Sequence, residues 1–265
     1  VKYLYSWISG VFTKTNRTAT WDYLQTFIDE GRKQGVRIHA GVNTFVGGTT
    51  IDGGTGILFR DPNKKEWATS LNTTIGIVNV MDLSNISTKF LNPANEDVVN
   101  FLCNLLSDLS KYDLDGIILD RGRFYDLQAD FSPISKSKFE DYLGGVPVQK
   151  FPEEILPKGA TILPSVYPTY MKKWLEFRSK ITHDFMEKAR KAVKDTNPNI
   201  KFGVYVGAWY STYYTVGVNW ASNRYNTDTY YNWATSNYNN FGYADLMDHI
   251  ILGAYARPNR VYGST

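Results

Sequence analysis

LNPANEDVVNFLCNLLSDLSKYDLDGIILDRGR, residues 91–123, carries the reading that decides the fold class. Its first part is helical in pattern. Val98, Val99, Leu102, Leu105, Leu106 and Leu109 recur at steps of three and four, which puts them on one face of a helix. Asn92-Pro93 reads as the start, with proline at the first helical position, where its missing N–H costs nothing. The pattern ends near Tyr112. GIILD, residues 116–120, then follows as a short and almost wholly apolar run. Such a run suits a parallel strand covered on both faces.

The same alternation extends in both directions. Residues 20–34 read as a helix capped by Thr20, with Asp22 in the first turn and Trp21, Leu24, Phe27 and Ile28 as its apolar stripe. Residues 36–43 (VRIHAGVN) read as a strand with period-two alternation. A Gly/Thr/Asp loop is expected over 47–56, and a short strand over 75–81. Residues 124–168 read as loop-rich, with a short helix near 137–143. The longest helix is expected over 171–194, stopped by Pro198. A strand over 201–209 (KFGVYVGAW), a Tyr-rich helix over 228–241 and a last strand over 247–255 (MDHIILGAY) complete the pass.

Strands separated by helices cannot pair as hairpins, so the order predicts a parallel α/β architecture. No Gly-rich phosphate fingerprint opens any helix, which disfavours a doubly wound nucleotide binder. A (β/α) barrel is the better fit, read as one domain over residues 1–265. Four strands are clear, so an eight-stranded TIM-type barrel would be incomplete at one or both termini of this chain.

Composition narrows the function classes. The net charge is only +3 and the charges are scattered, which argues against nucleic acid as a partner. The single cysteine, Cys103, excludes an internal disulfide or a multi-cysteine metal site. No apolar run approaches the roughly 20 residues of a membrane-spanning segment. His39 and His249 lack a cluster of ligands at metal spacing, so no metal and no cofactor is expected. His183 reads as a packing or surface residue. No Gly-x-Ser-x-Gly elbow is present, which disfavours a serine hydrolase.

In a parallel barrel the functional residues lie at the carboxyl ends of the strands. Those ends are Asn43, Asp120, Trp209 and Tyr255. Side-chain alternation groups Asn43 with Gly41 and His39, Asp120 with Ile118, Trp209 with Gly207, Tyr205 and Gly203, and Tyr255 with Gly253, Ile251 and His249. The opposite parity is apolar in each strand, so these sets are assigned to the barrel interior. Asp120 is the sharpest residue. It ends an apolar strand, and Arg121 and Arg123 follow it. Cations beside a carboxylate favour its ionised form, which suits a nucleophile or an electrostatic stabiliser. The alternative is that Asp120 pairs with one of the arginines to organise the loop. Asp115 precedes the strand, at the stability face, and reads as structural.

Aromatic residues make up 15% of the chain, and they concentrate between Tyr205 and Tyr243. Trp209, Tyr210, Tyr213 and Tyr214 follow a strand end at the expected active face. Flat rings with a polar edge suit sugars, which present apolar C–H faces rimmed by hydroxyls.

Residues 91–132, together with 21–43, WLEFR at 174–178 and KFGVYVGAWYSTYYTVGVNWAS at 201–222, resemble the glycoside hydrolase family 10-like proteins of bacteria, glycosidases also grouped with the alpha-amylase family. The shared pattern is an Asn-Pro helix start, Tyr-Asp-x-Asp-Gly-Ile, and Asp-Arg-x-Arg-Tyr. Phe124 departs from it by standing directly after Arg123. The resemblance implies a (β/α)8 barrel, with the family's first and last strands outside this chain. It also implies action on a polysaccharide or oligosaccharide, and export to the periplasm, cell surface or extracellular space. Asp120 carries over as the strand-end aspartate, and Arg121 and Arg123 as the paired arginines.

Glycoside hydrolysis needs two carboxyl groups, about 5 Å apart for retention or roughly 6.5–9.5 Å for inversion. Asp120 supplies one. Asp126 and Asp130, in the following loop, are the first candidates for the second. Asp52, Glu153 and Glu154 stand behind them, and Glu176 lies inside a helix. His39, Asn43, Arg121, Arg123, Trp209, Tyr210, Tyr213 and Tyr255 are the expected substrate contacts. A carbohydrate-binding barrel without catalysis is the alternative.

Overall fold

In the computed structural model, residues 22–255 are described. Thr20 and Trp21 of the expected first helix lie outside them. The GIILD run forms a strand, β6 (Gly116–Asp120), at the interior of a four-stranded parallel sheet. Its neighbours are β1 (His39–Asn43) on one side and β7 (Lys201–Gly207) on the other. The last strand, β8 (His249–Gly253), pairs with β7. The sheet order β1-β6-β7-β8 therefore follows the chain without reversal. That is the winding of a barrel rather than of a doubly wound sheet, whose strand order reverses.

Three helices cover the outer face. They are α1 (Tyr23–Lys33), α2 (Glu96–Leu109) and α4 (Met171–Thr196). Their buried stripes join the outward strand residues in one core. Val98, Val99, Leu102, Leu105, Leu106 and Leu109 of α2 meet Ile117 and Leu119 of β6, Phe202, Val204 and Val206 of β7, and Phe185 and Ala189 of α4. Each such side chain contributes about 1.5–3 kcal/mol on burial. The expected parity holds here, because the apolar set of each central strand points at the helices. It weakens at the outer strands, where Val36, just before β1, and Leu252 of β8 are 54% and 48% exposed. No helix among the described residues covers Leu252.

Side-chain caps set the starts of α1 and α2, and both differ from the sequence reading. The first helix is capped by Asp22, whose carboxylate accepts the Gln25 N–H at 3.0 Å. The second begins at Glu96 behind Asn95, not at Pro93. Asn92 is instead wholly buried, and its amide donates to the Asp130 carboxylate and the Ser132 hydroxyl. The proline-led start occurs elsewhere: Ser132 caps α3 (Pro133–Tyr142), with Pro133 in its first turn.

Two segments correct the expected layout more strongly. The Gly/Thr/Asp loop over 47–56 contains part of a strand, β2 (Val46–Thr49), paired antiparallel with β5 (Thr88–Phe90). Its glycines mark tight packing rather than slack. A Cβ on Gly56, where φ is +103°, would stand 2.4 Å from the Gly47 carbonyl oxygen. The strand expected at 75–81 is β4 (Gly76–Asn79), which pairs with β3 (Ser70–Thr73) as a hairpin outside the parallel sheet. The Tyr-rich segment over 228–241 is not a helix. It holds only short 3-10 turns at Thr227–Thr229 and Tyr238–Phe241. Tyr, Asn and Thr are poor helix formers. Here the rings pack on one another instead, Tyr225 on Tyr230 at 5.4 Å and Trp233 on Tyr238 at 5.0 Å.

The rings Trp233 and Tyr238 belong to a second core with Leu127, Phe131 and Phe139, built around Trp174 and Phe177 of α4. One side of that long helix thus faces the sheet and another faces the loop layer. No helix among the described residues is long and apolar enough to cross a membrane.

Candidate functional site

The concave face of the sheet is shaped by two glycines. His39 on β1 and His249 on β8 belong to the outer strands, yet their rings meet edge to face with centroids 5.5 Å apart. They do so by lying over the inner strands. A Cβ on Gly116 would stand 2.2 Å from His39 Nδ1, and one on Gly203 would stand 2.6 Å from His249 Cδ2. The sheet is therefore curved enough for its first and fourth strands to touch across its hollow. Burial, helped by the neighbouring His39, holds the His249 imidazole below its ordinary pKa. His39 pairs in register with Gly116, and Asn43 with Asp120. At about 3.3 Å per residue, His39 sits roughly 13 Å below the Asp120 row.

Above that floor, at the carboxyl ends of β6 and β7, lies a cleft of about 230 Å³. Asp120, Arg121, Arg123, Tyr205, Trp209, Tyr213, Tyr243 and Tyr255 line it. The Asp120 carboxylate accepts the Arg121 backbone N–H at 2.8 Å. No ion pair joins it to Arg121 or Arg123 among the described residues. The loop-organising alternative therefore takes a different form: Asp120 holds the turn through backbone, and the guanidinium groups are directed elsewhere. Arg123 donates from Nη1 to the carbonyls of Phe124 and Tyr125, at 3.0 and 2.8 Å. Burial lowers its pKa. Arg121 has φ +50°, the left-handed region that L side chains rarely take.

The aromatic wall is narrower than the sequence suggests. Trp209 is half exposed, with its ring 6.1 Å from Tyr213 and 5.9 Å from Tyr255. The Tyr205 and Tyr255 hydroxyls share a hydrogen bond, which raises the Tyr205 pKa. Tyr213 accepts the Gly207 N–H at 2.8 Å, and burial raises its phenol pKa. The raised values keep the Tyr205 and Tyr213 phenols protonated, so each can donate as well as accept a hydrogen bond. Tyr210 turns away. Its hydroxyl donates to Asn219 at 2.8 Å, and its ring packs on Trp220 at 5.1 Å. Tyr214 likewise packs on Trp233 at 4.7 Å in the second core.

The carboxylates divide as sharply. Asp130 is sealed from solvent, where Thr69, Ser70, Asn92, Ser132 and Ser135 all donate to it. Its lone pairs are spent, and it does not reach the cleft. Asp126 does not line the cleft either; it is half-buried, with its Oδ1 accepting the Gln128 N–H at 2.8 Å. Burial raises its pKa, against the pull of Arg178 and Arg123. Glu176 is wholly buried and bonded to Tyr142, Lys173 and Thr235. Glu154 accepts the Lys150 N–H. The side chain of Asp52 lies outside the described residues. Among the described residues, Asp120 is the one carboxylate that lines the cleft. His39 and Asn43 stand on the concave face without lining it.

The sequence reading missed two contributors. Tyr205 was visible in the strand parity but not singled out. Tyr243 lay beyond the expected Tyr-rich helix, counted in the aromatic concentration but not placed at the site. It reaches the cleft because its backbone N–H is bonded to the Asn219 carbonyl at 3.1 Å. A third residue, Arg178, holds the cleft from behind. It is fully buried, and its guanidinium donates to the carbonyls of Asp126, Tyr214 and Thr215. It ties the loop after β6 to the loop after β7. Its pKa is pushed down to about 10 by burial. A group of His183, Asp184 and Glu187 on α4 has ligand atoms within 4.8 Å of one another, but none of the three lines the cleft.

The sequence profile of the glycosyl hydrolase-like 10 family matches residues 3–258. The chain belongs to that family. This glycosyl hydrolase-like 10 chain is 29% identical to an S-layer-related protein of Niallia circulans, over 88% of its own length and 15% of that protein's. Its fold is similar to a beta-galactosidase from Bacillus circulans sp. alkalophilus, with a TM-score of 0.58 at 10% identity, covering 96% of this chain and 35% of that one. A beta-galactosidase of the haloarchaeon Halorubrum lacusprofundi gives a TM-score of 0.56 at 11% identity, covering 91% and 34%. At such identities the likeness is one of fold. The glycosyl hydrolase-like 10 chain is mixed α/β with a parallel sheet, like the TIM-barrel glycosidases it resembles. It spans a third or so of those enzymes and a smaller part of the S-layer-related protein.

Proposed function

We propose that this chain is a glycosidase acting on a polysaccharide or oligosaccharide at the cell surface, with Asp120 as nucleophile or transition-state stabiliser. The carrying observation is Asp120 itself: a carboxylate at the end of a central strand, without an ion pair among the described residues, in a cleft walled by Trp209, Tyr205, Tyr213 and Tyr255. Family membership and the glycosidase-like fold support the reaction class. The S-layer-related relative supports the location. The unreversed strand order and the contact between His39 and His249 support reading the sheet as an arc of a (β/α)8 barrel within a single domain over 1–265. Asp126 does not line the cleft, but of the two loop aspartates it is the better candidate for the proton donor: its charge interacts with Arg123 at the cleft wall, and burial raises its pKa toward the neutral carboxyl that protonates a leaving group. Arg121, Arg123, Trp209, Tyr213 and Tyr255 are assigned to substrate contact.

A second reading has one observation in its favour. Hydrolysis needs two carboxyl groups, and the cleft shows one among the described residues. A carbohydrate-binding barrel without catalysis would look the same. A hydrolysis screen of wild type and Asp120→Asn against a polysaccharide panel separates the two. The glycosidase reading expects release of sugar by wild type and a loss on the order of 10²–10⁴-fold in the variant. Equal hydrolysis by both proteins removes Asp120 from the mechanism. Binding without hydrolysis by wild type selects the second reading.

A further inference from the structure

We propose that the saccharide is anionic, and that Arg121 recognises its charged substituent in a second cavity adjoining the cleft. This rests on the carbohydrate reading above. The second cavity shares Arg121 and Arg123 with the cleft, and Asn85, Ser87, Thr88 and Tyr125 complete its polar wall. Among the described residues no carboxylate lines it, whereas Asp120 lines the cleft. The two arginines thus stand on the border between a carboxylate-bearing cavity and one whose described polar side chains are cations, hydroxyls and an amide, beside Ile86 and Phe90. Every polar side chain in the second cavity can donate a hydrogen bond.

The two arginines are not equivalent. Arg123 is engaged by the protein, through the Phe124 and Tyr125 carbonyls, and lies over the Phe90 ring at 5.4 Å. The Arg121 guanidinium makes no hydrogen bond or ion pair among the described residues. Its backbone is held in the left-handed region by its own N–H to Asp120, at 2.8 Å, and by the Phe45 N–H to its carbonyl, at 3.3 Å. A turn of that shape alone is better served by glycine. An arginine kept there supplies its side chain, and strained backbone of this kind gathers at ligand clamps. A free guanidinium fork matches a carboxylate, or a sulfate, in two parallel hydrogen bonds. A sugar ring stacked on Trp209 beside Asp120 would then place a neighbouring acidic residue of the same chain against Arg121.

The test is isothermal titration of the purified chain with three sets of oligosaccharides: uronic-acid chains, sulfated chains, and the carboxyl-reduced or desulfated form of each. The expected result is binding at least tenfold tighter for a charged chain than for its neutral counterpart. Arg121→Asn accepts the left-handed backbone and removes the charge, so it should bind both forms alike. Arg121→Lys should keep most of the preference and shows that the loss is one of charge. Preference for uronic acids or for sulfates supports the inference and names the group. Equal binding of charged and neutral forms by wild type, or unchanged preference in a folded Arg121→Asn protein, overturns the inference and leaves the carbohydrate reading standing. No binding by any set overturns both.

Discussion

Gly116 and Gly203 decide whether the sheet can curve. Both sit on inner strands beneath a histidine from an outer strand, but the two contacts differ in kind. The atoms nearest a Cβ on Gly116 all belong to the His39 ring, which can swing into solvent. The Gly203 contacts include the His249 carbonyl oxygen at 2.7 Å, which cannot. Gly203→Ala is therefore expected to lower stability by about 1–3 kcal/mol, as overpacking does, and Gly116→Ala by less. Urea unfolding of the pairs checks this. His39→Ala should rescue Gly116→Ala, and His249→Ala should not rescue Gly203→Ala. The strand parity made these positions visible as inward glycines, but not what they face. The sequence separation of His39 from Gly116 hides the contact, and only strand pairing reveals it.

At the scale of the element, α4 acts as the clamp behind the site. Arg178 reaches from its buried side to three carbonyls on two loops, and the Phe124 ring lies 4.7 Å from its guanidinium carbon. Arg178→Met removes one of two donors from the Asp126 and Tyr214 carbonyls, which keep the Ala129 and Gly217 N–H groups, and leaves the Thr215 carbonyl without a donor among the described residues, at about 1–3 kcal/mol for that group. Hydrogen exchange should then quicken in residues 122–131 and 208–217, while β6 and β7 keep their protection. Equal protection in both proteins would show that the loops hold themselves. The helices and parallel strands were legible because their periods are local: Leu102, Leu105 and Leu109 declare a face without reference to anything else. The segment over 228–241 was not, because its rings are satisfied by one another and not by a helical stripe.

For the whole molecule, the two cores share one helix. Trp174 and Phe177 anchor the loop-side core, and Phe185, Ala189 and Val193 of the same helix anchor the sheet-side core. Neither core can open without disturbing a continuous 26-residue helix. Heat should therefore unfold both together, with tryptophan emission and far-ultraviolet circular dichroism tracing one transition. Trp174→Ala, which removes the ring packed on Phe139 at 4.9 Å, should cost about 3–5 kcal/mol and keep the two signals coincident. Separate transitions would mean that the loop layer folds on its own.

The sequence by itself determined the four strands of the parallel sheet, the three helices packed on it, the apolar parity of the central strands and the position of Asp120 at a strand end. These follow from periodicity and from strand geometry, which are properties of short stretches of chain. Only the tertiary structure decided which polar residues remain free to act. Asp120 ends a strand and Asp130 lies in the loop that follows it, ten residues on, and both were candidates for the catalytic pair. Asp130 is consumed by donors such as Thr69, 61 residues away, while Asp120 keeps its carboxylate open to the cleft. Tyr210 and Tyr213 are separated in the same way, one turned to Asn219 and Thr227, the other to Gly207. A buried polar group takes whichever partner the fold brings within hydrogen-bond reach, and that partner is set by the packing of distant segments.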